Sequence, residues 1–301
     1  TIRTGGESFV PTLAINVAIL LALVSIGFLV YFIHHIASSI QAPTMISGIT
    51  QETIESVRNL FPPGKEQRQE AQPTSEWVVL NARQTGYLQH IGNNLVQLAD
   101  QYDFVVRIER RVGEFIVEGT PLLAVRGGAP MTSDLEGKLL ATIGIDSFRT
   151  VEQDPGYGIR QLVDIAIKAL SPGVNDTSTA INCIDYIGAI LHVLVQREPM
   201  LGAIESKGKV RVIYTHCIKV ERLIDLAFLQ IRQSGSGNTA VLLRVLKVIR
   251  ATSEVAHHEL HKQLLTKHLS LVEEMTVESI SSPHDKGIVL ERLEGIRRSM
   301  G

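Results

Sequence analysis

The stretch from Arg149 to Ala180 carries the densest group of polar side chains that the fold is expected to hold in fixed positions. Within it, Arg160, Asp164 and Lys168 stand four residues apart, which places them on one stripe of a predicted helix. The other faces of that helix are apolar, so the sequence predicts a largely enclosed helix with a narrow charged stripe. Charges in such a position need partners, because an unpaired buried charge is strongly destabilising.

Two interpretations of this stretch stay open. In the first, a salt-bridge ladder and a capped turn lock two helices together, with Asn175 or Asp176 as the cap of the second helix. In the second, a polar crevice binds an ion or a small ligand. The candidate ligand-binding residues are Asp154, Arg160, Asp164, Lys168, Asn175 and Asp176. The sequence offers no nucleophile beside a base, so we predict no enzymatic activity and no cofactor.

The segment HHELH is a weaker candidate for chemistry. It places His257 and His261 four residues apart, a spacing that on a helix can chelate a metal ion. The metalloprotease arrangement has two residues between the Glu and the second His, and no third ligand is identifiable. We interpret the segment as a solvated helix face and predict no metal site.

The elements that position these residues begin with a membrane segment inside residues 1–40. Residues 11–33 contain no charged side chain and one strongly polar one, Asn16. At a rise of 1.5 Å per residue they span about 34 Å, enough to cross a hydrocarbon core of about 30 Å. The sequence therefore predicts a transmembrane helix.

Small residues recur on one face of that helix and would allow another helix to approach closely. Asn16 is costly in lipid without a partner, which predicts packing against an upstream helix or against another subunit. The residues assigned to this packing or pore-lining face are Ala14, Asn16, Ala18, Ala22 and Ser25, followed by His34 and His35 at the membrane exit. As plain interfacial residues, the two histidines need no role in a pore.

Charge and cysteine content bound the partners and the compartment. The formal net charge is −2, which predicts no nucleic-acid partner. Basic residues follow the span slightly more often than they precede it, and two isolated cysteines do not form a disulfide framework. We therefore predict the bacterial inner membrane, with the soluble part in the cytoplasm and the lipid bilayer as partner.

The rest of the chain divides by its pattern into three predicted regions of an α+β membrane protein. Residues 41–75 hold a short amphipathic helix at 50–63, after an interruption at Pro43, and a polar linker at 64–75. Residues 76–127 contain short β-like runs and one helical insert. Residues 128–301 read as a helical bundle, with one possible strand at 209–214.

Two resemblances add to this organisation. The phrases RRVGEFIVEGTPLLAV and ARQTGYLQHI, within 76–127, resemble a barrel-sandwich hybrid without the lysine that carries a cofactor in lipoyl and biotinyl domains. The run QDPGYGIRQLVDIAIKALSPGVNDTSTA resembles the signature of the bacterial predicted membrane protein family known as domain of unknown function 2254. FVPTLAI, FIHHIASSIQ, RQTGYLQHI, VGEFIVEGTPLL and ERLIDLAFLQIR resemble further blocks of that family. The family usually has Pro where Thr177 stands, and its members typically begin with more transmembrane helices, which implies that an N-terminal part is missing here.

The family resemblance implies architecture and no specific activity, so three functions are weighed. The first is a homo-oligomeric, channel-like or transport-related assembly. The second is a membrane-tethered sensor or scaffold that binds an ion or small ligand in the 154–176 crevice. A metal-dependent hydrolase is the third.

Overall fold

The computed structural model describes residues 12–39, 42–61, 76–198 and 202–300, and it divides the chain into two compact units, Thr1–Met45 and Ile46–Gly301. The predicted linker at 64–75 and residue 11, the first of the predicted span, lie outside the described residues.

The first unit contains the apolar helix α1, Thr12–Ser39. Its segment Ala14–Phe32 has a mean hydropathy of 2.5 and no buried residue, and its 19 residues are enough to cross a membrane. The predicted membrane-spanning helix is therefore present as a helix of the required length and composition.

Helix α2, Ala42–Leu60, begins earlier than the sequence predicts. Pro43 was expected to interrupt the chain, yet it lies in the first turn of α2, where the missing N–H needs no intrahelical acceptor. In the second unit, α2 buries one face through Ile46, Thr53 and Val57. The Thr53 hydroxyl donates to the Ile49 carbonyl at 2.6 Å, so this buried polar group is satisfied inside the helix.

Among the described residues, eight strands and two short helices form the β part of the second unit. In chain order these are β1 Val78–Asn81, β2 Gly86–Ile91, α3 Asn94–Gln101, β3 Val105–Ile108, β4 Phe115–Ile116, β5 Pro121–Arg126, α4 Ser133–Leu140, β6 Ile143–Asp146, β7 Ala203–Ser206 and β8 Lys209–Tyr214. The strands predicted within 76–127 and the possible strand at 209–214 are confirmed.

The strands form two sheets, with the orders β1-β5-β3-β8-β7 and β4-β2-β6. All pairs are antiparallel except β3 with β8, where Val106 lies opposite Val212. Because β6, β7 and β8 come from later in the chain, the β part extends beyond 76–127. The resemblance to a barrel-sandwich hybrid stays a prediction.

Both sheets share one apolar core with α3 and α4. Leu88 of β2, Leu95 of α3, Phe104 before β3 and Leu123 of β5 are each at most 1% exposed. In β3 buried residues alternate with partly exposed ones, since successive side chains point to opposite faces, whereas β5 buries four consecutive residues from Leu122 to Val125. The turns between the strands are thereby held on a rigid body, and one of these turns enters the site described below.

Six further helices complete the described part of the second unit. They are α5 Pro155–Ala169, α6 Thr177–Leu194, α7 Val220–Ser234, α8 Thr239–Ser253, α9 Glu259–Ser279 and α10 Pro283–Met300. Helix α5 packs on α6 and α7, α6 packs on α8, and α9 packs on α7, α8 and α10. Helix α6 is also apolar enough to span a membrane, with a mean hydropathy of 1.2, but 44% of it is buried inside the protein. Its burial between α5 and α8 explains its composition as that of a core helix.

Candidate functional site

The turn between β3 and β4 brings a guanidinium to the start of α5. Gly113 adopts a φ of +82°, a conformation that side chains with a Cβ rarely adopt. A Cβ there would also overlap the Asp154 carboxylate, so the turn approaches α5 as closely as a glycine allows. The Gly113 amide donates to the Leu88 carbonyl at 2.8 Å and holds the turn against β2. Arg111, two residues earlier, is thereby fixed beside the first turn of α5.

The start of α5 is built around a buried carboxylate. Asp154 is the N-cap of the helix, and its Oδ1 accepts from the Tyr157 amide at 3.2 Å. Its Oδ2 accepts from the Arg149 Nη2 at 2.5 Å and from Nε at 3.1 Å, in a charge-assisted ion pair. The Arg149 guanidinium also lies 4.7 Å from the centre of the Tyr157 ring. Asp154 is 5% exposed, so the pair fixes the loop before α5 to the helix itself.

Helix α7 forms the opposite wall. Arg160 of α5 donates a hydrogen bond from Nη1 to the Gln230 Oε1 of α7. Arg222 and Asp225 lie one turn apart on α7, and Asp225 also contacts α9 through His268, at 2.9 Å, and Lys267, at 3.2 Å. The Asp225 carboxylate therefore lines the cleft and also joins α7 to α9.

Together these elements enclose a cleft of about 300 Å³, which we call the arginine cleft. It is lined by Arg111, Val112, Gly113, Arg149, Asp154, Gly156, Arg160, Ile218, Arg222, Leu223, Asp225, Leu226 and Leu229. Four arginines and two aspartates leave an excess of two positive charges at neutral pH. The leucines and Ile218 make one side of the cleft apolar.

The electrostatics of the cleft reflect this crowding. Burial lowers the pKa of Arg111, and the nearby positive charges of Arg222 and Arg149 lower it further, while Glu114 and Asp154 oppose them. Burial raises the pKa of Asp154, and the hydrogen bonds and charge of Arg149 oppose that rise. The guanidiniums of Arg111, Arg149 and Arg222 thus lie close together, and that of Arg111 is partly removed from water. Such an arrangement is typical of functional sites.

The structure does not bring the six predicted ligand-binding residues into one crevice. Asp154 and Arg160 line the arginine cleft, whereas Asn175 and Asp176 follow the far end of α5. Since α5 has 15 residues, about 22 Å of helix separates the two groups. The two groups therefore cannot contact the same small ligand.

The charged stripe on α5 is exposed rather than enclosed. Asp164 and Lys168 face solvent, and neither forms an ion pair with another residue that the structure describes. Arg160 bonds to Gln230 instead of Asp164, so the predicted salt-bridge ladder is absent among these three side chains. The apolar faces are buried, but the stripe itself needs no partner, because water solvates it.

The far end of α5 has a different role. Asn175 adopts a φ of +50° in the turn, and the Asp176 Oδ1 caps α6 by accepting from the Thr179 amide at 3.0 Å. The cap predicted for the second helix is confirmed as Asp176. A second cavity of about 510 Å³ lies here, lined by Leu170, Asn175, Ser234, Ser236, Gly237, Asn238, Thr239 and Ala240. Its lining carries no charged side chain among the described residues.

The two weak metal candidates do not lie on one helix. His257 is exposed before α9, whereas His261 is inside α9 and 3% exposed, with its Nδ1 3.3 Å from the Val195 carbonyl oxygen. The prediction of a helical i, i+4 pair is wrong because His258 is the N-cap of α9 and the helix starts after it. Within the described part of the chain, no three His, Cys, Asp or Glu side chains are grouped to hold a metal ion.

The predicted packing face lies on α1. Ala14, Asn16, Ala18, Ala22 and Ser25 are all exposed along this helix. His34 and His35 continue the helix, and their side chains lie outside the part of the chain that the structure describes.

Four charged residues that line the cleft were not among the predicted ones: Arg111, Arg149, Arg222 and Asp225. Arg149 carries a local signal, because it stands five residues before the N-cap Asp154. Arg111 and Arg222 come from a turn and a helix far away in the sequence, and no local pattern connects them.

Comparison with known proteins supplies the family. The family model described as "Predicted membrane protein (DUF2254)" matches residues 1–251. Uncharacterized proteins of Mycobacterium bovis and of two strains of Mycobacterium tuberculosis are 28% identical over 297 residues, which cover 96% of this chain. The chain spans 57% of the length of these curated relatives. No solved structure matches it. The chain therefore belongs to the family of predicted membrane proteins known as domain of unknown function 2254.

Proposed function

We propose that this chain is a membrane-anchored ligand-binding protein, a sensor or scaffold whose soluble body binds a small ligand in the arginine cleft. The observation that carries the proposal is the convergence of four arginines from three separate segments on a cleft of about 300 Å³. This volume is at the lower end of those that bind small molecules. The sequence predicts a ligand site in a crevice formed by residues 154–176, and we place the ligand site at the N-terminal end of α5 instead.

A binding role fits the lining better than a catalytic one. The cleft is lined by no Ser, Thr, Cys or Lys side chain among the described residues, and both of its aspartates are already paired with basic side chains. Arginine and leucine side chains hold and orient ligands but do not themselves act as a nucleophile at neutral pH. The metal-dependent hydrolase loses its structural basis, since His257 and His261 do not share a helix face.

For the location we propose the bacterial inner membrane, with the soluble body in the cytoplasm. The support is the apolar α1 helix, the slight excess of basic residues after it and the thiol of Cys183, which is buried inside α6.

A screen of ligands by thermal unfolding tests the proposal. The purified chain in detergent would be heated with small anions, cations, sugars and nucleosides, with the fluorescence of its single tryptophan, Trp77, as the readout. We expect at least one compound to raise the unfolding temperature of the wild type and to have a much weaker effect on Arg222→Gln. Arg222 is exposed, so its substitution leaves the fold intact.

Two variants serve as matched controls for this screen. Arg292→Gln removes an exposed arginine from α10, outside the cleft, and Asp164→Asn removes an exposed charge from α5. Both are expected to respond as the wild type does. Equal stabilisation of Arg222→Gln and the wild type by every compound would refute the assignment to the cleft.

A homo-oligomeric, channel-like assembly is a second proposal, supported by a separate observation. Asn16 and the small residues of α1 are exposed on a helix that is apolar elsewhere. An amide in lipid gains from a hydrogen bond to another helix, and small residues allow the close approach that this bond requires. Native mass spectrometry in detergent and single-channel recording test it. A monomer without conductance under voltage, low pH or tension would eliminate this second function.

A further inference from the structure

The arginine cleft carries more positive charge than its own carboxylates neutralise. From this excess we propose that its ligand is a multiply charged oxyanion, a phosphoryl or pyrophosphoryl group carried by a small solute or by a lipid headgroup. The inference rests on the proposed function, because it specifies the ligand of the same cleft.

Both carboxylates of the cleft already have cationic partners. Asp154 receives two hydrogen bonds from Arg149, and its remaining oxygen caps α5. Asp225 contacts Lys267 and the His268 ring on α9. Neither carboxylate is therefore left to neutralise the other arginines.

Two guanidiniums lack such a partner. Arg111 and Arg222 form no ion pair within 4 Å with any carboxylate that the structure describes. Arg160 donates to an uncharged amide, that of Gln230, so this hydrogen bond does not compensate its positive charge. Cations in this situation repel one another, and the repulsion is relieved when an anion binds between them.

The chemistry of guanidinium identifies the kind of anion. Each guanidinium presents two parallel N–H donors that match two oxygens of a phosphoryl group. A dianionic phosphoryl group neutralises twice as much of this unpaired positive charge as a singly charged carboxylate does.

The remaining walls fit an organic phosphate. Gly156 lines the cleft in the first turn of α5, where the helix dipole favours negative charge. Leu223, Leu226 and Leu229 of α7 form an apolar wall beside the arginines. This wall is suited to contact the uncharged part of a phosphorylated solute or lipid.

Titration with pyrophosphate tests the ligand class in the full-length protein. The chain would be placed in nanodiscs of zwitterionic phosphatidylcholine, and unfolding would be followed by Trp77 fluorescence while pyrophosphate is added. We expect the unfolding temperature to rise for the wild type and for Arg292→Gln. The apparent affinity is expected to fall at least about tenfold for Arg111→Gln and for Arg222→Gln. Sodium chloride at the same ionic strength is expected to give no such rise.

A lipid arm separates the two sources of the phosphoryl group. If nanodiscs that contain phosphatidic acid stabilise the wild type but not Arg111→Gln, and pyrophosphate has no effect, the oxyanion is a lipid headgroup and the proposal holds. If neither pyrophosphate nor phosphatidic acid distinguishes the wild type from both arginine variants, the proposal is overturned. In that case, a neutral or cationic compound that stabilises only the wild type would preserve the proposed function, and no active compound at all would remove both.

Discussion

The close approach of Gly113 to Asp154 yields a quantitative prediction with a control inside the same chain. Gly113 and Gly119 have nearly the same left-handed φ, +82° and +81°. A Cβ at Gly119 would meet nothing within 4 Å, whereas a Cβ at Gly113 would overlap the Asp154 carboxylate and lie 3.0 Å from the Arg149 Nη2. Substitution by alanine therefore adds the same backbone strain at both positions and a steric clash at one.

The expected magnitudes follow from these two contributions. Left-handed backbone costs a residue with a Cβ about 1–2 kcal/mol, which is the whole effect expected for Gly119→Ala. At Gly113 the new methyl group must also displace the buried Asp154 from Arg149. Breaking a buried ion pair costs about 3–5 kcal/mol, and we expect about 2–3 kcal/mol here because the Arg149 side chain is 30% exposed. The free energy of unfolding should thus fall by about 3–5 kcal/mol in Gly113→Ala.

Urea unfolding in detergent, followed by Trp77 fluorescence, measures both variants. The Trp77 ring centre lies 4.5 Å from the guanidinium of Arg107 on β3 and 5.0 Å from that of Arg126 on β5, so its emission reports on the sheet that leads into the turn. In an Asp154→Ala background, Gly113→Ala should cost only about as much as Gly119→Ala costs in the wild type, because the obstructing carboxylate is gone. Equal destabilisation by Gly113→Ala and Gly119→Ala would refute the close packing of the turn on α5.

Three further predictions concern the cap, the buried histidines and the membrane helix. Asp154→Ala should lower the free energy of unfolding by about 3–4 kcal/mol, because it removes both an N-cap and a buried ion pair. Asn238→Ala, which removes an uncharged N-cap from α8, should lower it by about 1 kcal/mol. Similar losses for the two variants in urea unfolding would contradict the buried ion pair. Burial lowers the pKa of His261 and His268, so at mildly acidic pH the unfolded state binds protons that the folded state does not bind. The free energy of unfolding should therefore fall as the pH drops from 7 to 5.5, and it should fall less steeply in His268→Gln. A free energy of unfolding that does not change with pH would contradict the burial of these rings in the neutral form. The double substitution Leu20→Arg with Leu23→Arg places two charges in the apolar segment of α1 and should release the chain from membranes in an alkaline carbonate wash. The matching double alanine variant should stay bound. Retention of the double arginine variant would argue against a membrane-spanning helix.

Much of the fold is readable from local patterns. Short runs rich in β-branched residues, such as VVLN and VVRI, predict strands, and a long uncharged apolar run predicts α1. Asp176 shows its role locally as well, since a carboxylate that precedes a helix by one residue can reach the free N–H groups of its first turn. These features depend on a few neighbouring residues, and the structure agrees with them.

Tertiary packing decides what local patterns do not. The parallel pairing of β3 with β8 joins residues about a hundred positions apart, and nothing in either strand specifies its partner. The stripe of Asp164 and Lys168 is read as buried from the apolar residues around it, yet α5 packs on α6 and α7 with its other sides. Pro43 shows the same limit, because a proline interrupts a helix only beyond its first turn.

The candidate site follows the same division. Asp154 is identifiable from the Asp-Pro-Gly start of α5, whose aspartate and proline are typical of a helix N-terminus. The cleft around it requires Arg111 and Arg222, which the fold brings together from a β turn and a distant helix. A stripe along one helix is a sequence pattern, but a cleft between three segments is a property of the packed structure.

The central claim is that the arginine cleft is a ligand site. Hydrogen exchange measured by mass spectrometry on the full-length protein tests this claim most directly. Exchange would be compared without addition, with the low-mass metabolite fraction of a bacterial extract, and with the lipid fraction of the same extract. Because the cleft joins three segments, the account predicts that amides in 109–114, 149–160 and 218–229 become protected together in the wild type, and that Arg111→Gln with Arg222→Gln abolishes this protection. Protection confined to the second cavity, around 175–177 and 234–240, or no protection at all, would contradict it.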